Sequence, residues 1–287
     1  ATSKMVAKIK GAEGNQWADV VILSGVGGYQ LQQAGLLERP DPAKLPNIDD
    51  VSPRFQFGAV GSAVGYNIFP DPIDYSTEVL DEPPTTWEVL WDEKYAGKLF
   101  LPAPYWVEAL DLIIMASRLA GSDEYSPEPG FELLEELKGR VVTLAENPPQ
   151  VAEMLRTGEI HIGGPFSHMF FAEQLQKGYP IGVAMESLKE GFFGDLQLMV
   201  IPKGHPGDTD VIHGFINEAL STEMQEAMAE SVFYTPINQK VSLPQDLLDT
   251  GYVLEPEQLS DAILPNMEYM AAVQADWHKR YGEMFAE

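Results

Sequence analysis

The sequence predicts an α/β protein with two lobes, each built as a mostly parallel sheet flanked by helices. Apolar segments of strand length and amphipathic helical segments alternate through residues 97–201. This alternation is typical of parallel strands that are covered by helices on both faces. The chain is also long enough for two lobes with separate cores, because it has 287 residues of which 45% are hydrophobic.

The first segment predicts a short helix, a strand and a glycine-rich turn. Met5, Val6 and Ile9 share a helical face, and residues 20–23 form an apolar strand. Residues 24–28 then read Ser-Gly-Val-Gly-Gly and lead into a second helix. A serine and glycines at such a turn let a ligand approach the N–H groups of the helix N-terminus. A tight turn that requires positive φ explains the same residues equally well.

The next segment is predicted to cross between the lobes. Residues 55–68 are apolar with three glycines, which indicates one long, bent strand. Prolines at positions 70, 72, 83 and 84 then predict an irregular surface passage. After a strand at residues 97–101, a helix begins with Tyr105, Trp106 and Glu108, which would face a cleft at this strand end. Trp106 also fits an ordinary core position on the apolar face of that helix.

Residues 131–201 continue the alternation. Helices are predicted at 131–137 and 148–156, and strands at 140–144, 160–164, 181–185 and 196–201. The strand at 160–164 runs into Phe166, Ser167 and His168, and the last strand follows Phe193 and Asp195. Open α/β sheets bind ligands beyond the carboxyl ends of their strands. We therefore expect Ser24, Tyr105, Ser167 and Asp195 to meet at one cleft.

The last third of the sequence is predicted to be helical. Amphipathic stripes cover residues 212–220 and 224–232, and a Tyr-Thr-Pro turn that begins with Tyr234 follows them. A terminal helix carries Met270, Val273, Trp277, Tyr281 and Phe285 on one face. We expect this last set to pack in a core or between the lobes and not to contact the ligand.

The net charge narrows the choice of partners. The chain has 44 acidic and 18 basic residues, a formal net charge of −26. Such a field repels nucleic acid and anionic membranes, and it attracts cationic solutes. A solvating acidic surface, as in salt-adapted proteins, explains the charge too, and the scattered positions of the acids favour that explanation. No apolar run reaches the roughly 18 residues that a membrane span needs, so no membrane insertion is predicted.

The sequence predicts no catalytic residue, no metal site and no cofactor. There is no cysteine, and the five histidines lack metal-binding spacing such as H-E-x-x-H. Nucleophile-elbow, phosphate-loop and dinucleotide-binding patterns are missing as well. The neighbouring Ser167 and His168 are the candidates for an acid–base pair, but a histidine at a turn more often only satisfies backbone hydrogen bonds.

Motifs spread along the chain resemble one family. Residues 158–204 carry, in order, a Gly-Glu start, an apolar strand, a small turn with a helix, a Gly-Tyr-Pro strand entry and a strand that ends in Ile-Pro-Lys-Gly. Ala-Asp-Val-Val at 18–21, Lys-Tyr-Ala-Gly-Lys at 94–98 and Tyr-Thr-Pro-Ile-Asn at 234–238 agree with the same pattern. Together they resemble the extracellular solute-binding proteins of ABC importers, and nearest among them the polyamine (spermidine/putrescine) group.

The resemblance implies a two-lobed type 2 periplasmic-binding-protein fold with a hinge. Lobe 1 is expected at residues 1–66 and 197–240, and lobe 2 at residues 67–196 and 241–287. Members of the family begin with one more strand and helix, so further chain is expected before Ala1. By resemblance the protein is a periplasmic or otherwise exported monomer that delivers a small solute to the membrane permease of an ABC transporter.

The resemblance also implies ligand contacts. Family members place a ligand-touching serine at the position of Ser24 and return the chain to the cleft near Tyr234. An ammonium group of the solute would pair with Asp195 or Glu108, and aromatic side chains would stack on it. The expected ligand-binding residues are Ser24, Gly27, Tyr105, Trp106, Glu108, Phe166, Ser167, His168, Phe193, Asp195 and Tyr234.

Several alternatives stay open for the ligand. Polyamine binders carry tryptophan and aspartate where this chain has Phe166, Ser167 and residues 191–195, so the expected solute is an amine that resembles a polyamine. A small anionic organic solute is the second candidate, because the turns after Ser24 and Ser167 both offer helix N-termini. Ferric iron is disfavoured, since Tyr234 lacks a tyrosine neighbour in the sequence. An enzyme on the same fold would depend on Ser167 and His168.

Overall fold

A computed structural model describes residues 2–12, 14–56 and 61–286 of the chain. The strands are β1 (Val21–Ser24), β2 (Leu37–Glu38), β3 (Ala63–Asp71), β4 (Ile73–Ser76), β5 (Leu99–Pro102), β6 (Val141–Ala145), β7 (Ile162–Gly163), β8 (Ile181–Ala184) and β9 (Phe193–Pro202). The helices are α1 (Thr2–Gly11), α2 (Gly25–Gln33), α3 (Pro53–Gln56), α4 (Val107–Leu119), α5 (Glu128–Glu135), α6 (Pro148–Thr157), α7 (Ala172–Gln176), α8 (Thr209–Ala219), α9 (Thr222–Val232), α10 (Gln245–Leu248) and α11 (Met267–Phe285). Short 3₁₀ turns lie between some of them.

The chain forms two compact units, and the mixed α/β class predicted from the sequence is confirmed. Unit 1 contains Ala1–Phe69, Asp195–Ser260 and Asn266–Ala272, and unit 2 contains Pro70–Gly194, Asp261–Pro265 and Val273–Glu287.

The division differs from the predicted lobes after residue 240. Residues 241–260 and 266–272 group with unit 1, whereas the sequence assigned them to the second lobe. Contacts within unit 1 explain the difference. The ring of Tyr252 packs edge-on against Phe233 with centroids 5.2 Å apart, and Arg54 donates hydrogen bonds to the carbonyls of Leu259 and Ser260.

The sheet of unit 1 is centred on β9. Strand β1 pairs with one edge of β9 and β2 with the other, and β3 pairs with β9 as well. The β1–β9 and β2–β9 ladders are antiparallel, with Ser24 opposite Gln197 and Leu37 opposite Pro202. The prediction of a mostly parallel sheet is therefore wrong here. Strand β9 lies between β1 and β2 and runs opposite to both. This pairing joins residues far apart in the chain, so local sequence patterns cannot predict it.

The sheet of unit 2 is mixed, in the order β6-β5-β7-β4-β8. Strand β5 pairs in parallel with β6 and β7, while β4 runs antiparallel to β7 and β8. Because β7 and β8 are both antiparallel to β4, strands β5, β6, β7 and β8 run in one direction and β4 in the other. The mostly parallel prediction therefore holds for this sheet. Strand β4 was not predicted, since residues 70–84 were expected to be irregular. Its four residues are nevertheless fully covered, including the acid Asp74.

The predicted crossing strand at 55–68 is also revised. The segment begins with α3, which ends at Gln56, and the strand β3 starts only at Ala63. The intervening residues 57–60 lie outside the described part of the chain. Gly65 lies within β3, where an added Cβ would meet the carbonyl oxygen of Phe55 at 1.9 Å, so a larger residue cannot replace it without a backbone shift.

Local sequence signals explain where the helices begin and end. Helix α6 starts at Pro148 and is followed by Gly158 with φ 72°, the usual proline start and left-handed glycine end. Asp208 caps α8, because its side chain accepts hydrogen bonds from the N–H groups of Asp210 and Val211.

The terminal helix α11 packs as the sequence predicts. Trp277 is buried edge-on against Phe131, with ring centroids 6.1 Å apart, and the buried Tyr281 donates a hydrogen bond to the carbonyl of Pro102 at 3.1 Å. These contacts confirm the core role of Trp277 and Tyr281 in unit 2. Within residues 2–12, 14–56 and 61–286, the structure contains no helix with the length and apolarity needed to cross a membrane.

Candidate functional site

Two parallel strand ends converge in unit 2 at an aromatic cluster. Strands β5 and β7 are neighbours, with Leu99 paired to Ile162, so the chain leaves both at the same edge of the sheet. Trp106 follows β5 directly before α4, and Phe166 follows β7. Their rings lie 5.7 Å apart between centroids. The turns that follow β5 and β7 therefore lie side by side.

The indole of Trp106 is held from several sides. Its ring is half-buried and packs on Phe166 and, edge-on, on Phe170 at 4.8 Å. His278 of α11 donates a hydrogen bond to the backbone carbonyl of Trp106, and burial lowers the pKa of His278. The imidazole is therefore neutral near pH 7, and it positions the start of α4 without adding charge there.

Two polar atoms of this cluster have no partner. The indole Nε1 of Trp106 and the hydroxyl Oγ of Ser167 are buried and lack a hydrogen-bond partner among the described residues. Ser167 is only 1% exposed, so bulk water does not satisfy its hydroxyl. Glu108 follows Trp106 by two residues. It is buried in the first turn of α4, where the helix dipole favours a carboxylate.

A second polar cluster lies in unit 1, where β1 passes into α2. Ser24 ends β1, and its backbone N–H donates to the Thr2 hydroxyl at 3.2 Å. The carboxylate of Asp195 accepts a hydrogen bond from the backbone N–H of Gly25 and another, of 2.5 Å, from the side-chain amide of Gln197. The acid therefore occupies the N-terminal end of α2, where a negative charge is favoured.

The protonation of Asp195 reflects a balance between burial and hydrogen bonding. Burial raises the pKa of Asp195 from its ordinary value to about 7, and the hydrogen bonds from Gly25 and Gln197 oppose this rise. The carboxyl group therefore exchanges its proton near neutral pH. A cation placed beside it would favour the charged form.

Gly27 has a packing role. A Cβ added at Gly27 would lie 2.3 Å from the methyl carbon of Thr2, so this glycine permits the close contact of α2 with α1. Gly25 is similarly close to a side chain, since an added Cβ would lie 2.1 Å from the terminal carbon of Met267. Gly27 therefore serves helix packing and is not one of the ligand contacts that we propose.

Tyr234 belongs to a separate aromatic group in unit 1. Its ring lies 4.8 Å from Phe69 and 6.3 Å from Tyr66 between centroids. Burial raises the pKa of both tyrosine hydroxyls, so both stay protonated near neutral pH. Phe233, which precedes Tyr234, has φ 59°, an uncommon value for a bulky residue that turns the chain sharply out of α9.

Other predicted residues do not join these clusters. Phe193 is fully buried and packs edge-on against Trp87 at 6.3 Å, which makes it a core residue of unit 2. Tyr105 is 58% exposed, and its ring lies 6.4 Å from that of Trp106 between centroids. His168 is fully buried in the turn after Ser167. The helical segment after Ser167 is a 3₁₀ turn followed by the five-residue α7.

Sequence reasoning missed Gln197, Met267 and His278. Gln197 had a readable signal, because residues two apart on a strand point to the same face, so the Asp-Leu-Gln order places its amide beside Asp195. Met267 and His278 reach their partners only through the packing of α11, and no local pattern reports those contacts.

A groove elsewhere in unit 2 contains none of the predicted site residues. It has a volume of about 740 Å³ and runs along the edge strand β6 between the start of α6 and the end of α11. Its lining includes Thr143, Glu146, Gln150 and Phe285.

Comparisons with known proteins agree with this architecture. The family model described as "Bacterial extracellular solute-binding protein" matches residues 1–251. No curated protein sequence matches the chain significantly. An ABC transporter structure from Clostridium perfringens is 22% identical with a TM-score of 0.83, covering 99% of this chain and 89% of that one.

Two further solved structures differ from each other in ligand. The spermidine/putrescine substrate-binding protein PotD from Streptococcus pneumoniae is 19% identical with a TM-score of 0.76, covering 99% of this chain and 88% of its own. The periplasmic binding protein AfuA from Actinobacillus pleuropneumoniae, with fructose-6-phosphate bound, is 23% identical with a TM-score of 0.73, covering 99% and 86%. At these identities the similarity shows the periplasmic-binding-protein fold.

Proposed function

The chain belongs to the family of bacterial extracellular solute-binding proteins, and we propose that it is the substrate-binding component of an ABC transporter whose solute is a small organic amine. The protein acts outside the cytoplasm and hands its solute to a membrane permease, as this family does. The observation that carries the proposal is the carboxylate of Asp195, held at the start of α2 beside Ser24.

The geometry around Asp195 favours a cation. The N-terminal end of α2, which could otherwise attract an anionic group, already faces this internal carboxylate. An anionic solute would be repelled by the charged form of Asp195 and could bind there only when this carboxyl group is protonated. The second predicted anion site is weak too, because α7 has only five residues and a 3₁₀ turn precedes it.

A binding role also suits the histidine and serine better than catalysis does. A serine nucleophile requires a base within hydrogen-bond reach. The Ser167 hydroxyl has no hydrogen-bond partner among the described residues, so His168 does not activate it in this structure. The family and its structural relatives transport solutes, in line with this proposal.

We propose that most of the ligand-contact residues predicted from the sequence bind the solute. The proposed contacts are Ser24, Tyr105, Trp106, Glu108, Phe166, Ser167, His168, Asp195 and Tyr234, without Gly27 and Phe193, which pack against protein. Binding then stabilises the conformation that has the higher affinity for the solute, and the difference in affinity between conformations sets the population shift. A hydrophobic aromatic surface near an acid is the usual chemistry for an alkyl ammonium group.

Calorimetric titration with matched four-carbon probes tests the proposal. We expect at least one of putrescine, aminobutanol and γ-aminobutyrate, which all carry an amine, to bind more tightly than succinate, which carries none. Asp195→Asn should weaken that amine by about 1.5–3 kcal/mol, the size of a charge-assisted hydrogen bond. Asp246→Asn, an exposed acid of unit 1, is the matched control and should change nothing.

The pH dependence gives a second readout. Because the pKa of Asp195 is about 7, the wild-type affinity for the amine should fall as pH is lowered through neutrality. Asp195→Asn should remove this dependence. Succinate binding that exceeds all three amines, or amine binding that Asp195→Asn leaves unchanged, contradicts the proposal.

A further inference from the structure

Trp106 and Ser167 present two buried polar atoms that the protein itself does not satisfy. The indole Nε1 of Trp106 and the hydroxyl Oγ of Ser167 lack hydrogen-bond partners among the described residues, and Ser167 is 1% exposed. The two residues lie on adjoining turns, because the ring of Trp106 packs at 5.7 Å on Phe166, the neighbour of Ser167. Buried polar groups in folded proteins nearly always have a hydrogen-bond partner, so each of these two atoms requires one.

The chemistry of the two atoms defines the partner. An indole nitrogen can only donate, and it therefore requires an acceptor. A hydroxyl can donate to the same acceptor or to a neighbouring one. An ammonium group has hydrogens to donate and no lone pair, so it cannot satisfy the indole N–H. A fully protonated diamine would leave Trp106 unpaired.

Building on the proposed amine-binding function, we propose that the solute is an amine that also carries an oxygen acceptor, and that Trp106 and Ser167 select for this oxygen. The acceptor is a hydroxyl, carbonyl or carboxylate oxygen. This oxygen satisfies the indole N–H and the serine hydroxyl. The selection works against plain polyamines, because the buried donor stays unpaired when they bind.

The test compares affinities within one series of equal length. Putrescine, aminobutanol and γ-aminobutyrate share a four-carbon chain and an amine, and they differ in the second end, which is an ammonium, a hydroxyl or a carboxylate. Calorimetry on the wild-type protein should give at least about tenfold tighter binding of the better acceptor-bearing amine than of putrescine. Aminobutanol and γ-aminobutyrate then distinguish a neutral from a charged acceptor.

Two variants remove the donors and keep the aromatic packing. Trp106→Phe retains a ring against Phe166, and Ser167→Ala loses only the hydroxyl. Each should reduce the preference for the acceptor-bearing amine over putrescine by about fivefold or more, because the donor that favours the one and disfavours the other is gone. Because the readout is a ratio within one variant, a partly unfolded sample does not alter it. Trp91→Phe is the matched control, since that indole already donates to the carbonyl of Leu133 at 3.0 Å.

The outcomes separate this inference from the function on which it rests. If the wild type binds putrescine as tightly as the acceptor-bearing amines, or more tightly, the inference is overturned. If Asp195→Asn weakens putrescine binding in that case, the proposed amine-binding function still stands. A preference that survives in both Trp106→Phe and Ser167→Ala also overturns the inference, and an ordered water is then the partner of these atoms. If none of the three amines binds, the proposed function fails and the inference fails with it.

Discussion

Asp195 and Asp74 show how the same residue type reaches two different states. Both are acids whose pKa burial raises, but Asp195 has hydrogen bonds from Gly25 and Gln197 that oppose the rise. Asp74 lies in the middle of β4, fully buried, and neither carboxylate oxygen has a hydrogen-bond partner among the described residues. Burial therefore raises the pKa of Asp74 well above its usual range, and its neutral form is the one favoured in the fold.

Asp74→Asn should stabilise the protein in a pH-dependent way. The folded-state pKa of Asp74 lies above the unfolded value of about 4, so the stability that this acid contributes is complete below that pH and is lost as pH rises. The variant should therefore gain on the wild type by up to about 1.4 kcal/mol for each pH unit above 4, until the folded-state pKa is passed.

Denaturant melts of both proteins between acid and mildly alkaline pH measure this difference. Comparison across pH removes any constant effect of the new amide. Asp81→Asn, an exposed acid of the same unit, serves as the control and should show no such trend. A constant difference between Asp74→Asn and wild type at all pH values would show that the carboxyl group is charged in the fold.

The sequence predicts the positions of site residues best where these residues directly follow the end of a strand. Tyr105 and Ser167 were expected to lie near each other because ligands bind beyond the carboxyl ends of strands, and their sequence neighbours Trp106 and Phe166 do pack together. Phe193 was misjudged, since the sequence gives no means to tell a core phenylalanine from an exposed one in the pair at 192–193. Its neighbour Trp87 is far away in the chain.

Strands β5 and β7 lie so close together at Gly163 that only glycine, which has no Cβ, fits at this position. A Cβ at Gly163 would lie 2.1 Å from the carbonyl oxygen of Phe100 and 2.3 Å from its ring. Both strand ends lead directly to the turns that carry Trp106 and Phe166. The spacing of these strands therefore sets the positions of the site residues in unit 2.

Gly163→Ala should destabilise unit 2 by about 1–3 kcal/mol, because the methyl group forces backbone displacement. Gly214→Ala is a matched control with the opposite sign. Gly214 lies in the exposed interior of α8 with open space at the Cβ position, so alanine there should stabilise by about 0.5–1 kcal/mol. Thermal melts of the two variants give both values, and a neutral Gly163→Ala would mean that the β5–β7 contact is looser than described.

Elements were predicted well where local patterns decide them and poorly where distant contacts do. Helices α4 and α6 and strands β5 and β8 lie within a few residues of their predicted positions, since their apolar periodicity and caps are local. Strand β4 was missed because Pro70, Pro72 and Asp74 resemble a surface loop. The antiparallel pairing of β9 with β1 depends on residues such as Ser24 and Gln197, which meet only in the fold.

The net charge of −26 acts on the whole molecule. Like charges repel in the compact state more than in the unfolded chain, so the fold carries an electrostatic penalty that salt should relieve. The screening length falls from about 30 Å at 0.01 M to about 3 Å at 1 M salt.

Added potassium chloride should therefore raise the melting temperature. Each kcal/mol of relieved repulsion corresponds to about 2–4 °C. Sucrose at equal osmolality is the control, because it stabilises without screening charge. A melting temperature that stays flat or falls with salt would contradict a penalty from surface charge.

At this scale the family and fold were predictable and the solute was not. Motifs across the chain identified a solute-binding protein, and the family model over residues 1–251 confirms it. The relatives bind ligands as different as polyamines and a sugar phosphate, because a few side chains decide the solute on a shared fold.

Native mass spectrometry of the solute that co-purifies with the protein tests the central claim most directly. The protein is extracted without denaturation from its producing cells, and the bound small molecule is released by acid and identified by exact mass and fragmentation. We predict a small compound with a basic nitrogen and at least one oxygen acceptor, present in wild type and depleted in Asp195→Asn. An anionic compound without an amine, retained equally by both proteins, would contradict the account.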